Sequence, residues 1–386
     1  MLQRLIMARL FGSLSPRTAR AALSDFFLLA DVRLDGNRPW DIRAKDERFF
    51  TKVLRGGSLG LGESYVEELW DCDKLDELFY KVLNARLDTQ FPKNLSEVAR
   101  AVRTWVWNPQ TKRKSRYVAE QHYDFGNEFY ESFLDPYNQY TCGYFEEGDG
   151  LNEAQARKMD LICKKLRLSA KDRVLDIGCG WGGFAKFAAE RYGCHVTGIS
   201  ISDRQIEYAK EFCRNLPVEI RKCDYRNLEG SFDKVLICGM IEHVGVKNYR
   251  TLMEVVHRSL RNDGLFLLHT IGNNRAYQYI DPWIAKYIFP NSMIPALSQL
   301  SKAFEGFFVL EDLHAFGHHY DKTLASWDKN LESSWTKLSV PYPSSVRRMW
   351  KYYFLSCAGA FRARALQVWQ FLFSREGIMD GLAAVR

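Results

Sequence analysis

The chain has 386 residues, a length that suggests two domains of ordinary size. Hydrophobic residues make up 46%, charged residues 26% and aromatic residues 14%, so the composition excludes an intrinsically disordered or collagen-like protein. The net charge of +7 is uneven: residues 1–120 contain 21 Lys and Arg against 16 Asp and Glu, whereas residues 121–386 contain 33 against 31. The basic N-terminal third predicts an anionic partner, either nucleic acid or a lipid surface, with solubility as the alternative explanation.

The N-terminal segment is not typical of a secretory signal, because Arg9 interrupts its apolar stretch and no small-residue cleavage site follows. Arg4, Arg9, Arg17 and Arg20 precede the first acidic residue, Asp25, a pattern compatible with an amphipathic surface helix. No apolar run reaches the roughly 20 residues that cross a bilayer. The nine cysteines are odd in number and form no Cys-x-x-Cys pair, which favours a reducing cytoplasm over a disulfide scaffold or a zinc ribbon, and no metal site is predicted.

The composition changes along the chain and predicts two domains. Residues 1–105 are predicted to form a smaller, mainly helical domain with a glycine-rich turn at residues 56–62. A basic linker is predicted at residues 106–120, because the chain there is rich in Lys and Arg and is interrupted by a proline. Residues 121–386 are predicted to form the second domain, in which the aromatic- and proline-rich segment 272–322 is an insertion that covers a site.

From about residue 155, short apolar runs alternate with amphipathic segments. The runs predict strands at residues 173–178, 195–200, 218–222, 234–239, 265–269 and 366–373. The amphipathic segments predict helices at residues 184–192, 203–215, 249–260, 324–338 and 346–364. This alternation indicates an α/β fold, in which a mostly parallel sheet carries helices on both faces.

A glycine-rich loop follows the first of these strands and opens a helix. Its sequence, Asp-Ile-Gly-Cys-Gly-Trp-Gly-Gly, has the spacing Asp-x-Gly-x-Gly-x-Gly, which differs from the Gly-x-Gly-x-x-Gly dinucleotide pattern and lacks the Lys-Ser/Thr pair of a P-loop. The loop therefore favours a nucleoside without a pyrophosphate over NAD or ATP, with tight strand–helix packing as the structural alternative. The pattern resembles that of S-adenosylmethionine-dependent methyltransferases, and the cofactor candidates are Asp176, Gly178, Cys179, Gly180, Trp181, Gly182 and Gly183.

The second strand departs from that superfamily, in which it usually ends in an acidic residue that holds the ribose. Here the strand ends at Ser200, and Gln205 follows in the next helix. These two polar residues are the candidates for the ribose contact. For Gln205, a solvated position on the helix surface is an equally good interpretation.

Several further blocks closely resemble the cyclopropane-fatty-acyl-phospholipid synthases, and together they cover nearly the whole chain. The N-terminal block Gly57–Tyr65 is included, although shorter mycolic-acid relatives lack that domain. The other matching blocks are Gln121–Asn127, Leu134–Cys142, Gly239–Gly245, Leu267–Gly272, Asp281–Pro290 and Cys357–Arg364. The resemblance implies a Rossmann-like class I methyltransferase fold with a mostly parallel seven-stranded sheet, joined to a smaller helical N-terminal domain.

The resemblance also implies a reaction, in which a methylene from S-adenosylmethionine is added across a cis double bond of a phospholipid acyl chain. An alkene is a poor nucleophile, so the sulfonium must be held close and aligned. Methyl transfer leaves a carbocation, which aromatic faces can stabilise by about 1–2 kcal/mol each in a dry site. A base then removes a proton from the new methyl group, and water must be excluded throughout.

By resemblance, that base is a bound bicarbonate. Its predicted contacts are the backbone N–H groups of Cys142 and Ile271 and the side chains of Glu242, His269 and Tyr320. Glu242 follows the fourth predicted strand and His269 closes the fifth, so both are expected at the carboxyl edge of the sheet. The structural alternatives are a buried histidine, a plain helix start at Glu242 and an apolar filler at Cys142.

The resemblance also implies further cofactor contacts and draws attention to one more cysteine. Cofactor contacts are expected from Tyr140 and Thr141 and from the turn after the third strand, Asp224, Tyr225 and Arg226. His122 and Tyr123 are interpreted either as a lid over the cofactor or as packing residues. Cys357 is a weak candidate nucleophile, because an alkene offers a thiolate no electrophile, and helix packing is the favoured role.

Three other functions remain open. A small-molecule or polar-lipid methyltransferase on the same fold would need no base for a methyl proton. A nucleic-acid-binding protein or methyltransferase would use the basic N-terminal third, although no (Asn/Asp)-Pro-Pro-(Tyr/Phe) motif is present and Asp281-Pro-Trp departs from it. A lipid-binding module without catalysis would use the same basic region.

The favoured hypothesis is a cyclopropane synthase that visits the cytoplasmic face of the membrane. Its expected partners are an anionic phospholipid surface, an unsaturated acyl chain and a second copy of the chain, and no nucleic acid is expected. The N-terminal domain is expected to dock on lipid or to mediate dimerisation.

Overall fold

The computed structural model describes residues 15–90, 125–276 and 280–386. The predicted surface helix before residue 15, the predicted basic linker and the predicted lid residues His122 and Tyr123 lie outside these ranges. They stay predictions.

The described residues form helices and strands that are numbered here in chain order. The helices are α1 (Pro16–Leu28), α2 (Arg48–Gly56), α3 (Ser58–Val66), α4 (Leu75–Asn84), α5 (Leu87–Gln90), α6 (Asn127–Glu131), α7 (Leu151–Lys165), α8 (Gly183–Tyr192), α9 (Asp203–Phe212), α10 (Tyr249–Ser259), α11 (Pro282–Tyr287), α12 (Leu297–Phe304), α13 (His318–Ser334) and α14 (Ser344–Arg362). The strands are β1 (Arg43–Ala44), β2 (Trp70–Asp71), β3 (Arg173–Ile177), β4 (His195–Ser200), β5 (Val218–Lys222), β6 (Phe232–Cys238), β7 (Leu260–Asn273), β8 (Val309–Ala315) and β9 (Leu366–Ser374).

Within the described ranges, seven strands form one sheet in the order β5-β4-β3-β6-β7-β9-β8. The first five run parallel, and β9 is antiparallel to both of its neighbours. The predicted α/β fold with a mostly parallel seven-stranded sheet is confirmed. The carboxyl ends of β3, β4, β6 and β7 therefore meet at one edge, where open α/β sheets bind their ligands.

Strand β8 lies inside the segment that was interpreted as an insertion after strand five. It pairs with β9 at the edge of the sheet, in a register that matches Leu310 with Phe373 and shifts before Asp312. Its side chains are exposed or half-buried and include charged residues. An edge strand needs no continuous apolar run, and charges on it discourage pairing with other chains, so the hydrophobic pattern did not reveal it.

The sheet is buried on both faces because successive side chains of each strand point to opposite sides. On β6, Val235 and Ile237 enter the core that includes α10, whereas Leu236 enters the core that includes α7 and α8. On β7, Leu268 enters the first of these cores and Leu267 enters the second. This double burial explains why these strands read as continuous apolar runs in the sequence.

The described residues divide into two compact units, and neither is continuous in sequence. One unit combines residues 15–90 with 280–290 and Leu324–Ala365, and the other combines residues 125–276 with Asn291–Thr323 and Leu366–Arg386. This division differs from the contiguous domains predicted above. The strands of the seven-stranded sheet all belong to the second unit.

Helix α14 belongs to the N-terminal unit because its residues fit those of α4 closely. A Cβ on Gly359 would lie only 2.5 Å from the backbone oxygen of Asp76, so the two helices touch through their backbones. Arg362 pairs with Asp76 at 2.6 Å and with Glu77 at 3.1 Å, both in the first turn of α4. The local sequence of α14 does not indicate that α4 is its packing partner.

The glycine-rich segment 56–62, which was predicted to be a turn, is largely the helix α3. Only Gly57 adopts a left-handed φ of 58°, at the junction of α2 and α3. Gly60 and Gly62 lie inside the helix, where a Cβ would approach the Lys52 carbonyl oxygen to 2.1 Å and the Trp283 ring to 2.4 Å. The glycines here allow close packing within the N-terminal unit and do not form a loop.

Candidate active site

The glycine loop between β3 and α8 is tied to the end of β4. The N–H groups of Gly178 and Cys179 both donate to the carbonyl oxygen of Ile199, at 2.9 and 3.1 Å. Gly178, Gly180 and Gly182 have φ values of 84°, 54° and 82°, in the left-handed region that favours glycine. A Cβ on Gly178 would also lie 2.7 Å from the Met240 side chain, so the backbone needs glycine for space as well as for conformation.

Two polar candidates converge on this loop from β4 and α9. Gln205 is buried, and its amide nitrogen lies 4.0 Å from the position of a Cβ on Gly180. Its amide oxygen accepts a hydrogen bond from the Ser200 hydroxyl at 3.4 Å. The alternative interpretation of Gln205 as a solvated surface residue is therefore wrong, and the structure brings Ser200 and Gln205 together beside the glycine loop.

The turn after β5 contains the predicted residues Asp224, Tyr225 and Arg226. Cys223 before it donates its N–H to the Ser200 carbonyl oxygen at 3.0 Å, which ties the turn to β4. Arg226 forms a two-point pair with Asp224, at 2.8 and 2.7 Å, and lies over the Tyr225 ring. The pair engages Nε and one terminal nitrogen of Arg226 and both oxygens of Asp224, so these charges serve first to hold the turn.

The segment 137–141 lies close to the loop and to the end of β6. A Cβ on Gly183 would fall 1.8 Å from the Tyr137 carbonyl oxygen, and a Cβ on Gly239 would fall 2.6 Å from the Thr141 methyl carbon. Tyr140 joins an aromatic cluster through Tyr130, whose ring lies 5.0 Å from that of Trp181. Tyr140, Thr141 and Trp181, predicted as cofactor contacts from separate blocks, are thus part of one local cluster.

Asp176, at the end of β3, is buried, and burial raises the pKa of its carboxyl to about 7. The nearby ammonium of Lys158 lowers that pKa but does not overcome the desolvation. A buried carboxyl of this kind becomes a better partner for a cationic ligand once it ionises. S-adenosylmethionine carries a sulfonium and an ammonium, so its charge suits this position.

Glu242 is the central polar side chain at the end of β6. A 3₁₀ turn at Ile241–His243 directs it inward, and one of its carboxylate oxygens accepts from the Thr270 hydroxyl at 3.0 Å and from the Ile271 N–H at 2.7 Å. The other oxygen, Oε2, is buried and has no hydrogen-bond partner among the described residues. Burial raises the pKa of the Glu242 carboxyl.

This arrangement changes the part expected of Ile271. Its N–H was predicted to bind an anion directly, but here it donates to Glu242. A direct contact between Ile271 and an anion would require the carboxylate to turn away. The structure therefore places Ile271 in the site as a support for Glu242.

His269 lies on β7 in register with Cys238 of β6 and Gln370 of β9. Gln370 lies on the same face of the sheet, and its Nε2 is 3.3 Å from Nδ1 of His269. Because an amide nitrogen can only donate, Nδ1 accepts and the ring proton is on Nε2. Burial lowers the pKa of His269 well below its ordinary value, so the imidazole is neutral.

Cys142 and Tyr320 are placed near this edge by contacts between the segment 142–145 and the start of α13. The Gly143 N–H donates to the Thr323 hydroxyl at 3.0 Å, and the Phe145 N–H donates to Nδ1 of His319 at 2.7 Å. Cys142 is fully buried, and burial holds the pKa of its thiol far above the ordinary value. Its thiol is therefore un-ionised, and because the S–H donates to the Gly143 carbonyl oxygen at 3.2 Å, the backbone N–H is the donor that remains for an anion.

Tyr320 is buried in the first turn of α13, and its N–H donates to the Gly317 carbonyl oxygen at 3.1 Å. The preceding Phe316 donates its N–H to the carbonyl oxygen of Val368, which is the β9 partner of Ile271. The Phe316 ring lies 5.7 Å from that of His269. The contacts of Phe316 thus link the start of α13 to β7 and β9, beside His269 and Ile271.

Cys357 belongs to a different compact unit from these residues. It lies on α14, and its surroundings raise the pKa of its thiol to about 12. A thiol with this pKa is protonated at neutral pH and is a weak nucleophile.

Several polar residues of the site were missed from the sequence. They are Lys158, Gln155, Thr270, Thr323 and Gln370. Lys158 offered a signal, because it lies on the apolar stripe of α7 formed by Leu151, Ala154 and Ile162. A charged residue at a core position of an amphipathic helix indicates a specific partner.

Two kinds of feature are absent from the described ranges. No group of three or more His, Cys, Asp or Glu residues there could hold a metal ion. No helix there has both the length and the apolar character needed to cross a membrane.

Comparison with known proteins identifies the relatives of this chain. The family described as mycolic acid cyclopropane synthetase matches residues 110–371. The cyclopropane-fatty-acyl-phospholipid synthase of Escherichia coli strain K12 is 45% identical over 357 residues, which span 92% of this chain and 93% of that protein. A probable fatty acid methyltransferase of Pseudomonas putida is 34% identical over 82% of this chain and 79% of its own length.

Solved structures agree with these relatives. The cyclopropane synthase MmaA2 from Mycobacterium tuberculosis is 28% identical, with a TM-score of 0.63 over 67% of this chain and 98% of its own. The mycolic acid cyclopropane synthase CmaA1, solved in complex with SAH and CTAB, is 28% identical with a TM-score of 0.62 over the same shares. Coclaurine N-methyltransferase, at 23% identity and a TM-score of 0.67, has a similar fold.

Proposed function

This chain belongs to the family of S-adenosylmethionine-dependent cyclopropane synthases, which transfer a methylene to lipids, and we propose that its substrate is a cis-unsaturated acyl chain of a phospholipid. The observation that carries the proposal is the unpartnered Oε2 of Glu242 in a buried site with a neutral His269. Simple methyl transfer leaves all three protons on the transferred methyl group, so it needs no acceptor for a methyl proton. Cyclopropane formation needs one, because a proton must leave the transferred methyl group.

The reaction begins when the alkene attacks the methyl carbon of the sulfonium. A carbon–carbon bond forms, the sulfur–carbon bond breaks, and S-adenosylhomocysteine and a carbocation result. Removal of a proton from the new methyl group leaves an electron pair that closes the ring. The protein must hold the two reactants in line and keep water away from the cation.

We propose that a bicarbonate supplies the base, and the residues present fit such an anion. Glu242 Oε2 can accept the proton of a bicarbonate O–H, or can share one when the carboxyl is itself protonated. The Nε2–H of His269 can donate to an anionic oxygen, and the Cys142 N–H and the Tyr320 hydroxyl are the further predicted donors. When bound, bicarbonate would accept the methyl proton.

The chain's own residues have distinct parts in this scheme. Thr270 and Ile271 fix the orientation of Glu242 through its Oε1, so that Oε2 alone is directed to the bound group. Gln370 fixes the tautomer of His269. Both effects rest on hydrogen bonds within the protein, which fix the orientation of these two side chains.

One assay tests the reaction. The protein is incubated with S-adenosylmethionine and vesicles of cis-unsaturated phospholipid, and the fatty acids are analysed by mass and by their remaining double bonds. The expected product has gained one CH₂ unit for each double bond lost. A product that keeps an alkene and carries a branched methyl group would instead indicate a lipid C-methyltransferase, and no product despite cofactor binding would overturn the proposal.

A second assay tests the base. The same reaction is run in carbon dioxide-free buffer, with and without added bicarbonate, for the wild type and for Glu242→Gln. The wild type is expected to depend on bicarbonate, and the variant is expected to lose that response. Full activity without bicarbonate would remove the anion from the mechanism and leave the lipid substrate untouched.

We also propose that the protein visits an anionic phospholipid membrane at its cytoplasmic face and acts as a homodimer. The support is the excess of basic residues in the N-terminal third and the need to reach an acyl chain. Sedimentation with anionic and zwitterionic vesicles at low and high salt is expected to show salt-sensitive binding to the anionic ones only. Equal binding to both kinds of vesicle, or a monomer in analytical ultracentrifugation, would contradict the corresponding part.

A further inference from the structure

Helix α7 directs two polar side chains into the core of the sheet unit. Gln155 and Lys158 are both 0% exposed, one turn apart on the same face. Neither belongs to the predicted catalytic or cofactor residues. A buried lysine is expensive to desolvate unless it has specific partners, and an apolar residue of similar volume would fill the space without that penalty.

Their partners are concentrated on residues 139–141. The Lys158 ammonium donates to the Gln139 side-chain oxygen at 2.6 Å and to the Thr141 hydroxyl at 2.8 Å. The Gln155 amide nitrogen donates to the Thr141 carbonyl oxygen at 2.8 Å and to the Gln139 carbonyl oxygen at 3.3 Å. One side chain thus holds two side chains of the segment, and the other holds its backbone.

The held segment has little freedom on its other sides. The Gln139 amide nitrogen lies 2.5 Å from the position of a Cβ on Gly183, in the glycine loop. The Thr141 methyl carbon lies 2.6 Å from the position of a Cβ on Gly239, which follows β6 and donates its N–H to the backbone carbonyl oxygen of His269. Residues 139–141 therefore connect the cofactor loop with the edge that bears Glu242 and His269.

Two buried carboxyl groups act on the charge of Lys158. Burial lowers the pKa of the Lys158 ammonium, and the carboxyl groups of Asp135 and Asp176 act in the opposite direction. Asp176 is the penultimate residue of β3, which leads into the glycine loop, and Lys158 is the counter-charge that lowers the pKa of this buried carboxyl. Gln155, by contrast, keeps its amide oxygen without a partner among the described residues, so only its donor side is used.

We propose that Lys158 and Gln155 are positioning residues, which hold residues 139–141 in the one arrangement that lets Tyr140 and Thr141 meet the cofactor while Cys142 faces the reacting edge. The part concerning Cys142 depends on the proposed anion site. The part concerning the cofactor does not, because it can be measured by binding of S-adenosylhomocysteine alone.

The chain supplies a matched control on the same helix. Lys165, two turns after Lys158, is also buried, with a side chain only 1% exposed. It lies 3.1 Å from Nδ1 of His314 and 3.6 Å from Asp312, on strand β8. Lys158→Met and Lys165→Met therefore remove the same buried charge from the same face, but only the first touches residues 139–141.

The test measures the affinity for S-adenosylhomocysteine by calorimetry and the thermal unfolding midpoint for both variants. Lys158→Met is expected to lose roughly tenfold or more in affinity, because a small displacement of a positioning group has effects of that size, whereas Lys165→Met keeps the wild-type affinity. An unchanged affinity in a folded Lys158→Met protein, or an equal loss in both variants, would overturn the proposal.

If Lys158→Met does not fold, Gln155→Leu tests the proposal instead. It introduces no buried charge, and it removes both bonds to the backbone of residues 139–141. It is expected to remain folded and to bind S-adenosylhomocysteine roughly tenfold more weakly. Wild-type affinity in this variant would contradict the proposal. A double variant that combines Lys158→Met with Thr141→Val gives a further test: if its loss of affinity for S-adenosylhomocysteine equals the sum of the losses of the two single variants, in free energy, the two residues do not act together and the proposal is contradicted.

Discussion

The two halves of the site, the glycine loop with its neighbours and the edge with Glu242 and His269, are built on opposite principles. At the loop, the backbone comes close to its surroundings, and the buried carboxyl of Asp176 has a counter-charge in Lys158. At the edge, Glu242 and His269 are buried without a counter-charge of comparable effect, and one carboxylate oxygen has no partner among the described residues.

The difference separates binding from chemistry. In the proposed reaction, the charged cofactor binds where charge is compensated, and the carbocation forms where few groups could capture it. Substitutions at the loop should therefore change the affinity for the cofactor, and substitutions at the edge should change turnover. The following predictions test that separation.

The largest effect is expected from Glu242→Gln. The amide retains an oxygen for Thr270 and Ile271 but loses the carboxylate, so turnover should fall roughly a hundredfold or more. Affinity for S-adenosylhomocysteine should stay within about twofold of the wild type. His269→Ala and Tyr320→Phe should show the same separation, and an equal loss of affinity and turnover in them would remove those residues from the anion site.

Gly183→Ala is the corresponding test at the loop. The added Cβ would lie 1.8 Å from the Tyr137 carbonyl oxygen, so the backbone must move and cofactor affinity should fall roughly tenfold or more. The control is Gly56→Ala, a helical position with nothing within 4 Å, which should raise the free energy of unfolding by about 0.5–1 kcal/mol. If the Gly183→Ala protein folds and binds the cofactor with wild-type affinity, the segment 137–141 can move to make room for the added methyl group.

The pH dependence of cofactor binding should reflect the ionisation of the Asp176 carboxyl. Because its pKa is about 7, the carboxyl is mostly neutral at pH 6 and mostly ionised at pH 8. Ionisation favours a cationic ligand, so affinity for S-adenosylmethionine should rise about tenfold over this interval. Asp176→Asn should bind weakly with no such rise, and a wild-type affinity that falls with pH would contradict the assignment.

The smallest effect is expected from Arg226→Met. Its guanidinium is engaged by Asp224, so its loss should loosen the turn and change cofactor affinity by only about threefold. Calorimetry with S-adenosylhomocysteine measures this directly. A loss as large as that of Gly183→Ala would show that Arg226 contacts the cofactor itself.

Much of the loop half could be predicted from the sequence, because its information is local. The spacing of Asp176 and the glycines follows directly from one strand and precedes one helix, and the structure has the same order. Glu242 and His269 could also be placed at the sheet edge, since each follows or closes an apolar run. The edge half as a whole depended on resemblance, because Cys142 and Tyr320 come from segments with no periodic signal.

Other features could not be read from the sequence, because their partners are distant in it. The edge strand β8 carries charges that hide it, and α14 joins α4 through contacts some 285 residues apart. The hydrogen bond from Ile271 to Glu242 depends on the turn of one side chain. The burial of Lys158 had a signal in the apolar stripe of α7, but its partners on residues 139–141 had none.

The sequence by itself determined the alternating α/β fold and the glycine loop, because hydrophobic periodicity and the conformational needs of glycine act over a few residues. It also determined the family, through many matching blocks in order. Only the tertiary structure decided which polar groups are buried, which of them have partners, and hence which are neutral. Those properties come from neighbours brought together by folding, and they separate the half that binds a charged cofactor from the half proposed to form a carbocation.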